Sequence, residues 1–311
     1  MLDVKRLRVL REVAAKGSFS AAAESLGYTQ SAVSQQIAAL EREAGTVLVD
    51  RNARGVRLTE AGRALVRHAD VILTRLADAE AELDAIAGVR GGRLRMVSFP
   101  TAGATIAPRA IGRFRERFPG VEVTLAPREP DEGLDCLKAG ECEIALTVEA
   151  GFDRITDKAI ERHPLLADPM YVCVSACHPA ARKPRLRLKD LADEAWIMGT
   201  TGTCPDGAIL QRACQTAGFD PQFAFQSDDY AAIQGFVAAG VGVCLIPDLA
   251  LVAVRDDVVI RELEGRPPVR HILAATLAGG FKSPATAAML DILVEVGAEF
   301  QASNRTLALA S

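Results

Sequence analysis

The chain contains 311 residues, of which 49% are hydrophobic and 24% are charged. That length suits about two domains with sizeable apolar cores, so the composition excludes a disordered chain. The formal net charge is −4, but residues 1–67 hold eleven Lys and Arg against seven Asp and Glu, a balance of +4 that leaves −8 for residues 68–311. A basic N-terminal segment joined to an acidic remainder permits local binding to phosphate without general adhesion to polyanions.

No secretory leader is expected, because Met1–Lys5 runs directly into a charged amphipathic helix. The longest uncharged run, Tyr230–Pro247, contains Gln234, three glycines and a terminal proline. We interpret this run as a helix followed by a buried strand rather than as a membrane span. We therefore expect a cytoplasmic protein without a membrane partner.

The seven cysteines are an odd number without CxxC spacing. This usage is typical of reduced thiols in a cytosolic protein rather than of a disulfide framework. Cys173 and Cys177, followed by His178, are four residues apart on an expected strand and so on one of its faces. Packing in the core is favoured there over a metal or redox site.

Three short helices are expected before residue 46. The first covers Val4–Lys16, the second begins after Ser18 and ends at Gly27, and the third begins after Thr29 and ends at Gly45. Serine and threonine are good N-caps, and glycine suits the position that ends a helix. Each helix has an apolar stripe at spacings of three and four residues: Leu7, Leu10 and Ala14; Phe19, Ala22, Ala23 and Leu26; Val33, Ile37, Leu40 and Ala44. The second and third helices, joined across a tight glycine turn, form a helix-turn-helix.

The face of the third helix opposite its apolar stripe is polar. It carries candidate contacts to base edges, Gln30, Ser31, Ser34 and Gln35. Gln makes paired hydrogen bonds to adenine, and Ser bonds to several base edges. Glu41 and Glu43 come only in the last turn, away from the N-terminal end that usually enters the major groove. The alternative is an ordinary helical hairpin with a solvated polar face.

A two-stranded wing is expected after the third helix. Val47–Val49 and Val56–Leu58 are its strands, Asp50–Gly55 is a basic turn, and Thr59 caps the next helix. The arginines of the wing and the two helix caps complete the set of candidate DNA contacts: Ser18, Thr29, Gln30, Ser31, Ser34, Gln35, Arg51, Arg54 and Arg57.

Together these segments resemble the N-terminal domain of LysR-type transcriptional regulators. The matching residues have fixed spacing and are Phe19, Ala21–Ala23, Leu26, Gln30–Ser34, Ile37, Leu40, Glu41, Gly45, Leu48, Arg51, Leu58, Thr59, Ala61 and Gly62. Val49 departs from the family, which usually has an aromatic residue there, and this difference concerns packing under the wing. Gln35 occupies a position that varies among members, and we expect it to help set the operator sequence.

A long apolar seam follows the wing. Its members recur at intervals of four and three residues: Leu65, Ala69, Ile72, Leu76, Ala79, Leu83 and Ile86. The flanking positions are charged, so the narrow seam favours pairing with another helix over docking on its own domain. In LysR-type regulators this linker helix pairs two subunits, and the resemblance implies a homodimer or homotetramer. The dimerisation residues would be Leu65, Ile72, Leu76, Leu83 and Ile86.

The periodicity changes after Gly91 and Gly92, an expected hinge, to strands that alternate with helices. This alternation is typical of a parallel α/β sheet. The first group comprises strand Leu94–Ser98, helix Ala104–Phe118, strand Val121–Leu125, helix Leu134–Lys138 and strand Glu143–Thr147. The second comprises strand Tyr171–Ser175, a short helix Leu188–Leu191, strand Trp196–Met198, helix Gly207–Ala217, strand Phe223–Phe225, helix Tyr230–Ala239 and strand Val243–Ile246. Strand Ile272–Thr276 and helix Pro284–Glu299 come last.

The fold class is therefore α/β overall, with a winged helix-turn-helix at residues 1–62, a linker helix at 63–90, an effector-binding domain at 91–301 and a flexible tail at 302–311. The resemblance implies an effector domain similar to periplasmic binding proteins. Its first lobe would hold residues 91–167 and 271–301, and its second lobe residues 168–270. The return crossing near Arg270 is the family arrangement and does not follow from periodicity.

Two such lobes form a cleft, in which ligands bind beyond the carboxyl ends of strands and near helix N-termini. Hydroxyls and free N–H groups recur at these places and favour an anionic group, typically a carboxylate. The candidate effector contacts are Ser98, Pro100, Thr101, Thr147, Thr201, Gly202, Thr203, Ser227 and Asp229. The alternative for each hydroxyl is a simple helix cap.

The four histidines lie in no catalytic frame, and neither a P-loop nor GxGxxG occurs, so no enzyme activity and no cofactor are expected. The sequence predicts a DNA-binding transcriptional regulator whose partners are double-stranded operator DNA and a small anionic effector. A thiol-sensing regulator of the same architecture is the alternative. Its candidates, Cys204 and Cys214, are expected on or near one helix, where a disulfide would be strained.

Overall fold

The computed structural model describes residues 1–52, 55–86, 92–152, 155–199, 205–279 and 282–308. The chain divides into two compact units, one of residues 1–90 with 138–141 and one of residues 91–137 with 142–311. Among the described residues, no helix is both long and apolar enough to cross a membrane.

The first three helices have the predicted bounds: α1 Val4–Lys16, α2 Phe19–Leu26 and α3 Gln30–Ala44. Ser18 and Thr29 cap α2 and α3 through their side-chain oxygens, as predicted. Asp3 caps α1 in the same way, a role that the sequence analysis missed. Each helix ends at a glycine in the left-handed conformation, with φ of 63°, 67° and 69° at Gly17, Gly27 and Gly45. A residue with a Cβ would be strained there.

The apolar stripes of these helices meet in one core, whose fully buried members include Leu7, Leu10, Val13, Val33, Ile37 and Leu40. The wing is an antiparallel hairpin of β1 Val49–Asn52 and β2 Gly55–Leu58, so its first strand begins two residues later than predicted. The carboxylate of Glu41 accepts hydrogen bonds from the N–H groups of Leu48 and Val49, at 2.9 and 3.2 Å. This carboxylate fastens the start of the wing to α3.

A long helix, α4 Glu60–Ile86, follows the wing. Thr59 caps it, because its Oγ1 accepts from the N–H of Gly62 at 3.0 Å and donates to the carbonyl of Val47 at 2.8 Å. A Cβ added at Gly62 would lie 2.0 Å from the carbonyl oxygen of Leu48. Only glycine therefore lets α4 approach the wing so closely.

The second unit contains the remaining elements. Its strands are β3 Gly92–Ser98, β4 Val121–Pro127, β5 Ile144–Ala150, β6 Ile160–Ser175, β7 Arg185–Leu186, β8 Ala195–Met198, β9 Gln222–Gln226, β10 Val243–Pro247, β11 Val258–Leu263 and β12 Val269–Leu277. Its helices are α5 Pro100–Ala104, α6 Ile106–Arg117, α7 Pro130–Ala139, α8 Pro205–Thr216, α9 Tyr230–Ala238 and α10 Pro284–Ala308. Three 3₁₀ turns cover Pro179–Arg182, Leu188–Leu191 and Asp248–Val252.

A mixed sheet in the order β4-β3-β5-β12-β6-β10-β8-β9 runs through both lobes of this unit. The sequence predicted a parallel sheet, but β6 and β12 run antiparallel to their neighbours. Up to Pro169, β6 pairs with β12, and from Met170 onwards it pairs with β10 and β11. Strand β6 therefore carries the chain from the first lobe into the second. Strand β12 returns it beside β5, where Arg270 lies opposite Ala150, and this confirms the predicted return.

Helices cover both faces of the sheet in each lobe. In the first lobe α5, α6 and α10 pack on one face and α7 on the other. In the second lobe α8 and α9 belong to separate apolar clusters. The central strands β5 and β10 are consequently buried along their whole length, as expected for strands covered on both faces.

Several predicted bounds in this unit were wrong. The expected helix Ala104–Phe118 is α6, which begins two residues later because Thr105 departs from helical geometry with φ −121° and ψ −71°, and the short helix α5 before it was missed. Only Tyr171–Ser175 of β6 was predicted, since Pro164 and Pro169 interrupt the apolar pattern of this strand. Strands β7 and β11 were missed. The predicted short helix at residues 188–191 is a 3₁₀ turn.

Three further differences concern chain ends and strand ends. Helix α10 continues beyond Glu299 to Ala308, so residues 302–308 are helical and do not form the expected tail. Strand β5 continues to Ala150, which places Thr147 within the strand rather than at its end. Strand β6 ends before Cys177, which is exposed while Cys173 is buried, so the two thiols do not share a strand face.

Candidate functional site

The polar face of α3 is the first candidate site. Val33, Ile37 and Leu40 are fully buried on one side of the helix, which leaves Gln30, Ser31 and Gln35 exposed and Ser34 half-buried. The hydroxyls of Thr29 and Ser31 lie 3.0 Å apart at the N-terminal end. Donors and acceptors are thus concentrated where a recognition helix meets base edges.

Both acidic side chains near the end of α3 have partners. Glu41 accepts from the wing backbone, and Glu43 forms an ion pair with Arg6 of α1. The Gln36 side chain also accepts from Arg6, at 3.3 Å. These interactions orient α3 on α1 and reduce repulsion between the carboxylates and a phosphate backbone.

The wing contributes fewer described side chains. Arg57 is exposed on β2. Arg54 lies outside the described residues, and only the backbone of Arg51 is described. Ser18 is half-buried, and its Oγ accepts from the N–H of Ala21 at 3.5 Å, so it serves as the cap of α2.

The apolar seam of α4 is divided between two environments. Ala69 is fully buried and Leu65 is half-buried against the core of the same unit. Ile72, Leu76 and Leu83, in contrast, are 41%, 44% and 65% exposed. The side chain of Ile86 lies outside the described residues. Leu65 thus packs within its own unit, whereas the seam from Ile72 onwards presents large apolar side chains to solvent.

The predicted effector contacts of the first lobe lie at the end of β3, in α5 and within β5. Ser98 is buried, and its Oγ donates to the carbonyl of Phe99 at 3.0 Å. Pro100 begins α5, as a proline suits the first helical turn. The hydroxyl of Thr101 accepts from Nη2 of Arg270 at 2.7 Å, so it is already engaged. Thr147 is 1% exposed, and its hydroxyl has no hydrogen-bond partner among the described residues.

The contacts predicted in the second lobe are only partly described. The Oγ of Ser227 accepts from the N–H of Asp229 at 3.2 Å. Asp229 itself caps α9 by accepting from Ala231 and Ala232. Both side chains therefore act as caps, the alternative that the sequence left open. Thr201, Gly202 and Thr203 lie outside the described residues, as does Cys204.

A buried ionic network that the sequence analysis missed links the two lobes. Arg270 of β12 donates through Nε to Asp168 of β6 at 2.6 Å and through Nη1 to Asp206 of α8 at 2.9 Å. Asp168 also accepts from the N–H of Leu249 at 3.0 Å, and Asp206 from the hydroxyl of Tyr230 at 2.7 Å. All three charged side chains are at least 94% buried.

One guanidinium thus serves two carboxylates in an apolar environment. Burial raises the pKa of Asp168, although the Arg270 charge and hydrogen bond act in the opposite direction. Burial alone would lower the pKa of Arg270. The negative charges of Asp206 and Asp168 outweigh this effect of burial, so the pKa of Arg270 is raised. Removing either partner would leave an uncompensated buried charge. Phe99 adds a ring 5.4 Å from the guanidinium carbon.

Glu129 gives the cleft an acidic side. It precedes α7 in the first lobe, and its pKa is raised to about 7 by burial and by the charges of Asp228 and Asp206. Both aspartates belong to the second lobe, so the carboxylates of the two lobes repel one another across the cleft. An ordinary glutamate would be fully ionised at neutral pH, whereas Glu129 takes up its proton closer to neutral pH.

Of the two cysteines expected in a thiol-sensing regulator, Cys214 is among the described residues, and its thiol is shielded from solvent. Cys214 is fully buried on α8, and burial, with a smaller contribution from Asp220, raises its pKa to about 12. The reactive species is the thiolate, which is scarce at neutral pH for such a group.

A winged helix-turn-helix with an exposed polar recognition face, together with a two-lobed α/β unit, defines a DNA-binding transcriptional regulator with an effector domain. Two family models match the chain: "Bacterial regulatory helix-turn-helix protein, lysR family" over residues 4–63 and "LysR substrate binding domain" over residues 87–298. The chain therefore belongs to the LysR family. It is a transcriptional regulator, and the family is not a family of enzymes.

Individual relatives agree with this assignment. The probable HTH-type transcriptional regulator LrrA of Synechococcus elongatus is 30% identical over 97% of this chain and 100% of its own. Full-length OxyR from Pseudomonas aeruginosa shares the fold, with a TM-score of 0.74 and 21% identity over 96% of this chain and 95% of its own. The regulatory domain of Synechocystis CcmR, solved in complex with 2-PG, has a TM-score of 0.60 and 26% identity over 66% of this chain and 97% of its own.

Proposed function

We propose that the protein binds operator DNA through residues 1–62, pairs subunits through the linker helix at residues 63–90, and responds to a small molecule bound between the lobes of residues 91–301. The observation that carries this proposal is the exposed polar face of α3, held on a fully buried apolar stripe. Gln30, Ser31 and Gln35 would read base edges, whereas Arg57 and the polar groups at the starts of α2 and α3 would contact phosphates.

The test of DNA recognition is Gln35→Ala. Gln35 is exposed, so its loss should leave the fold intact while it weakens operator binding by roughly 1–3 kcal/mol and relaxes preference at one base pair. The operator is taken from genomic fragments selected for binding to the wild-type protein. Fluorescence anisotropy then measures the affinity of each variant for this operator and for random DNA. Gln222→Ala, on exposed β9 of the other unit, is the matched control. An equal loss on operator and random DNA for Gln35→Ala would falsify the base-reading role.

Subunit pairing is supported by the exposed apolar part of the α4 seam. Ile72, Leu76 and Leu83 lie on one line at heptad spacing, and large apolar side chains arranged in this way are typical of a helix–helix contact. A homodimer would also match two operator half-sites. A homotetramer would pair two such dimers.

The effector is proposed to bind at the carboxyl ends of β3, β4 and β5. Ser98 and the hydroxyl of Thr147, which has no hydrogen-bond partner among the described residues, would supply polar groups there. The predicted anion would meet the carboxylates of Glu129, Asp206 and Asp228. Its binding would therefore be accompanied by proton uptake at Glu129, which a pKa of about 7 makes accessible at neutral pH. The solved complex of CcmR with 2-PG supports a small-molecule effector in this family.

A regulator of operator DNA must reach the chromosome. We therefore place its action in the cytoplasm, in association with the nucleoid, as the sequence analysis expected.

A further inference from the structure

The effector unit contains a cavity of about 530 Å³, and none of the predicted effector contacts that lie among the described residues lines it. Ile209, Arg212 and Ala213 of α8 form one wall, and the turn from Glu264 to Val269 forms another. Gly151 and Phe152, which follow β5, and the 3₁₀ turn at Leu188 complete it. Its volume lies within the range of roughly 300–1,000 Å³ that small-molecule sites occupy.

Part of the lining of this cavity is apolar, and we call this part its floor. Leu188, Ile209, Ala213 and Val269 line it, together with two consecutive prolines, Pro267 and Pro268. Water gains few hydrogen bonds on such a surface, and an apolar group that displaces it is bound favourably. The floor therefore fits the hydrocarbon part of a ligand.

The rim of the cavity is basic. The lining holds four cationic side chains, Arg187, Lys189, Arg212 and Arg266, and one carboxylate, that of Glu264, which is a formal charge of +3 before the Asp190 partner of Arg187 is counted. Residues 68–311 as a whole carry −8, so this concentration of positive charge opposes the average of its surroundings. It would attract an anion and focus it on the cavity.

The cations differ in their availability. Arg187 donates to Asp190 at 2.7 Å and is largely neutralised. The guanidinium of Arg212 lies 4.5 Å from the ring centre of Phe152, an arrangement in which its edge donors can still bind an anion. Lys189 and Arg266 are exposed and have no ion-pair partner within the described part of the chain. Lys189, Arg212 and Arg266 are therefore the side chains that an anion would meet.

We propose that this cavity is a second ligand site, which binds an organic anion with an apolar body, such as a medium-chain or aromatic carboxylate. The carboxylate contacts the three available cations, and the body covers the apolar floor. The site is separate from the cleft and does not depend on a ligand there.

The location of the cavity implies a regulatory role. Its walls include Val269, the neighbour of Arg270, and Ile209, one helical turn from Asp206. Arg270 and Asp206 form the ionic link between β12 and α8 at 2.9 Å. A ligand that fills the space between these same elements stabilises their present arrangement, and so favours the lobe geometry in which the link is made.

The test is calorimetric titration of the full chain with octanoate. We expect saturable binding of octanoate, at least tenfold weaker binding of octanol, and no measurable binding of acetate or inorganic phosphate, because the site needs both charge and an apolar body. The double variant Lys189→Gln/Arg266→Gln should lose affinity by about tenfold or more. The double variant Arg182→Gln/Arg255→Gln removes two exposed charges of the second lobe that do not line this cavity, and it should bind as the wild type does.

A second measurement distinguishes this site from the cleft. Glu129→Gln changes the cleft and leaves the cavity intact, so octanoate affinity should not change in that variant. The proposal is overturned if octanoate does not bind, if octanol binds equally well, or if both double variants retain wild-type affinity. Circular dichroism establishes that each variant is folded before titration.

Discussion

The two units place their polar side chains in opposite ways. In the N-terminal unit the candidate DNA contacts lie outside an entirely apolar core, as Gln35 does on the face of α3 opposite Ile37. In the effector unit Arg270, Asp168 and Asp206 lie inside, where they connect strands and helices of both lobes. Function is therefore separable from stability in the first unit, whereas in the second a change to the polar network alters the fold itself.

The difference follows from the tasks of the two units. A helix that reads DNA must present donors and acceptors to an external partner, and its rigidity comes from the apolar side chains beneath them. Two lobes that share a sheet need directional interactions to fix their arrangement, and buried charge pairs supply directionality at a cost in desolvation. The exposed seam of α4 is a third case, in which apolar side chains face outwards, where we propose that a second subunit packs.

The largest expected effect is that of Arg270→Met. Loss of the guanidinium leaves Asp168 and Asp206 buried without a counter-charge, which should lower the free energy of unfolding by about 3–5 kcal/mol. Urea unfolding at pH 7.5 measures this change. Arg255→Met removes an exposed ion pair with Asp257 and should leave the midpoint unchanged.

The pH dependence of the same variant gives a second check. Without Arg270, burial acts unopposed by the guanidinium and raises the pKa of Asp168 further. A carboxyl whose pKa is raised on folding stabilises the folded state at low pH, where it is protonated, and this contribution is lost as pH rises through the folded pKa. Arg270→Met should consequently recover stability relative to the wild type between pH 7.5 and pH 5. A variant as stable as the wild type at pH 7.5 would show that the network does not hold the lobes.

The next largest effect concerns the α4 seam. Leu76→Lys places an ammonium in the apolar line and should weaken subunit association by about 2–4 kcal/mol, so that operator affinity also falls. Light scattering over a concentration series measures the association. Val71→Lys alters another exposed apolar residue of α4, outside the seam, and should not change the oligomer. An unchanged oligomer in folded Leu76→Lys would mean that subunits pair elsewhere.

The smallest effect is expected at Glu129, which is partly exposed to solvent. Its pKa is raised from 4.5 to about 7. Ionisation of Glu129 therefore destabilises the folded protein increasingly as the pH rises between these two values. Glu129→Gln should therefore be more stable than the wild type at pH 8, by about 1 kcal/mol after allowance for solvent screening, and the difference should vanish near pH 4.5. Glu116→Gln, at an exposed position on α6, serves as the control. If the difference does not depend on pH, burial and the neighbouring carboxylates do not raise the pKa of Glu129 as described.

Sequence reasoning succeeded where the determinants are local. The bounds of α1, α2 and α3 follow from a capping side chain, an apolar stripe and a terminal glycine within a few residues of one another. It was less successful for β6, whose sixteen residues contain two prolines and pair with three different strands. The polar residues of such a strand are explained only by neighbours that are distant in the chain.

The candidate effector site shows the same limit. Ser98 and Thr101 were selected for their place at the end of a strand: Ser98 is the last residue of β3, and Thr101 follows it in α5. That Thr101 would be engaged by Arg270, 169 positions later, has no local signal. Ser227 and Asp229 were equally visible in sequence, yet they are used as caps at the start of α9.

The sequence alone determined the recognition helix, its caps, the heptad seam and the class of protein, because short-range periodicity and a family pattern at fixed spacing encode them. Only the tertiary structure decided that one strand serves both lobes, that Arg270 links β12 to Asp168 and Asp206, and that Leu65 packs inwards while Leu76 is exposed. It also brought four cations and an apolar floor together from segments spread over residues 151–269. The physical reason is that burial and charge pairing depend on which distant segments become neighbours, and periodicity records only the face that a residue occupies on its own helix or strand.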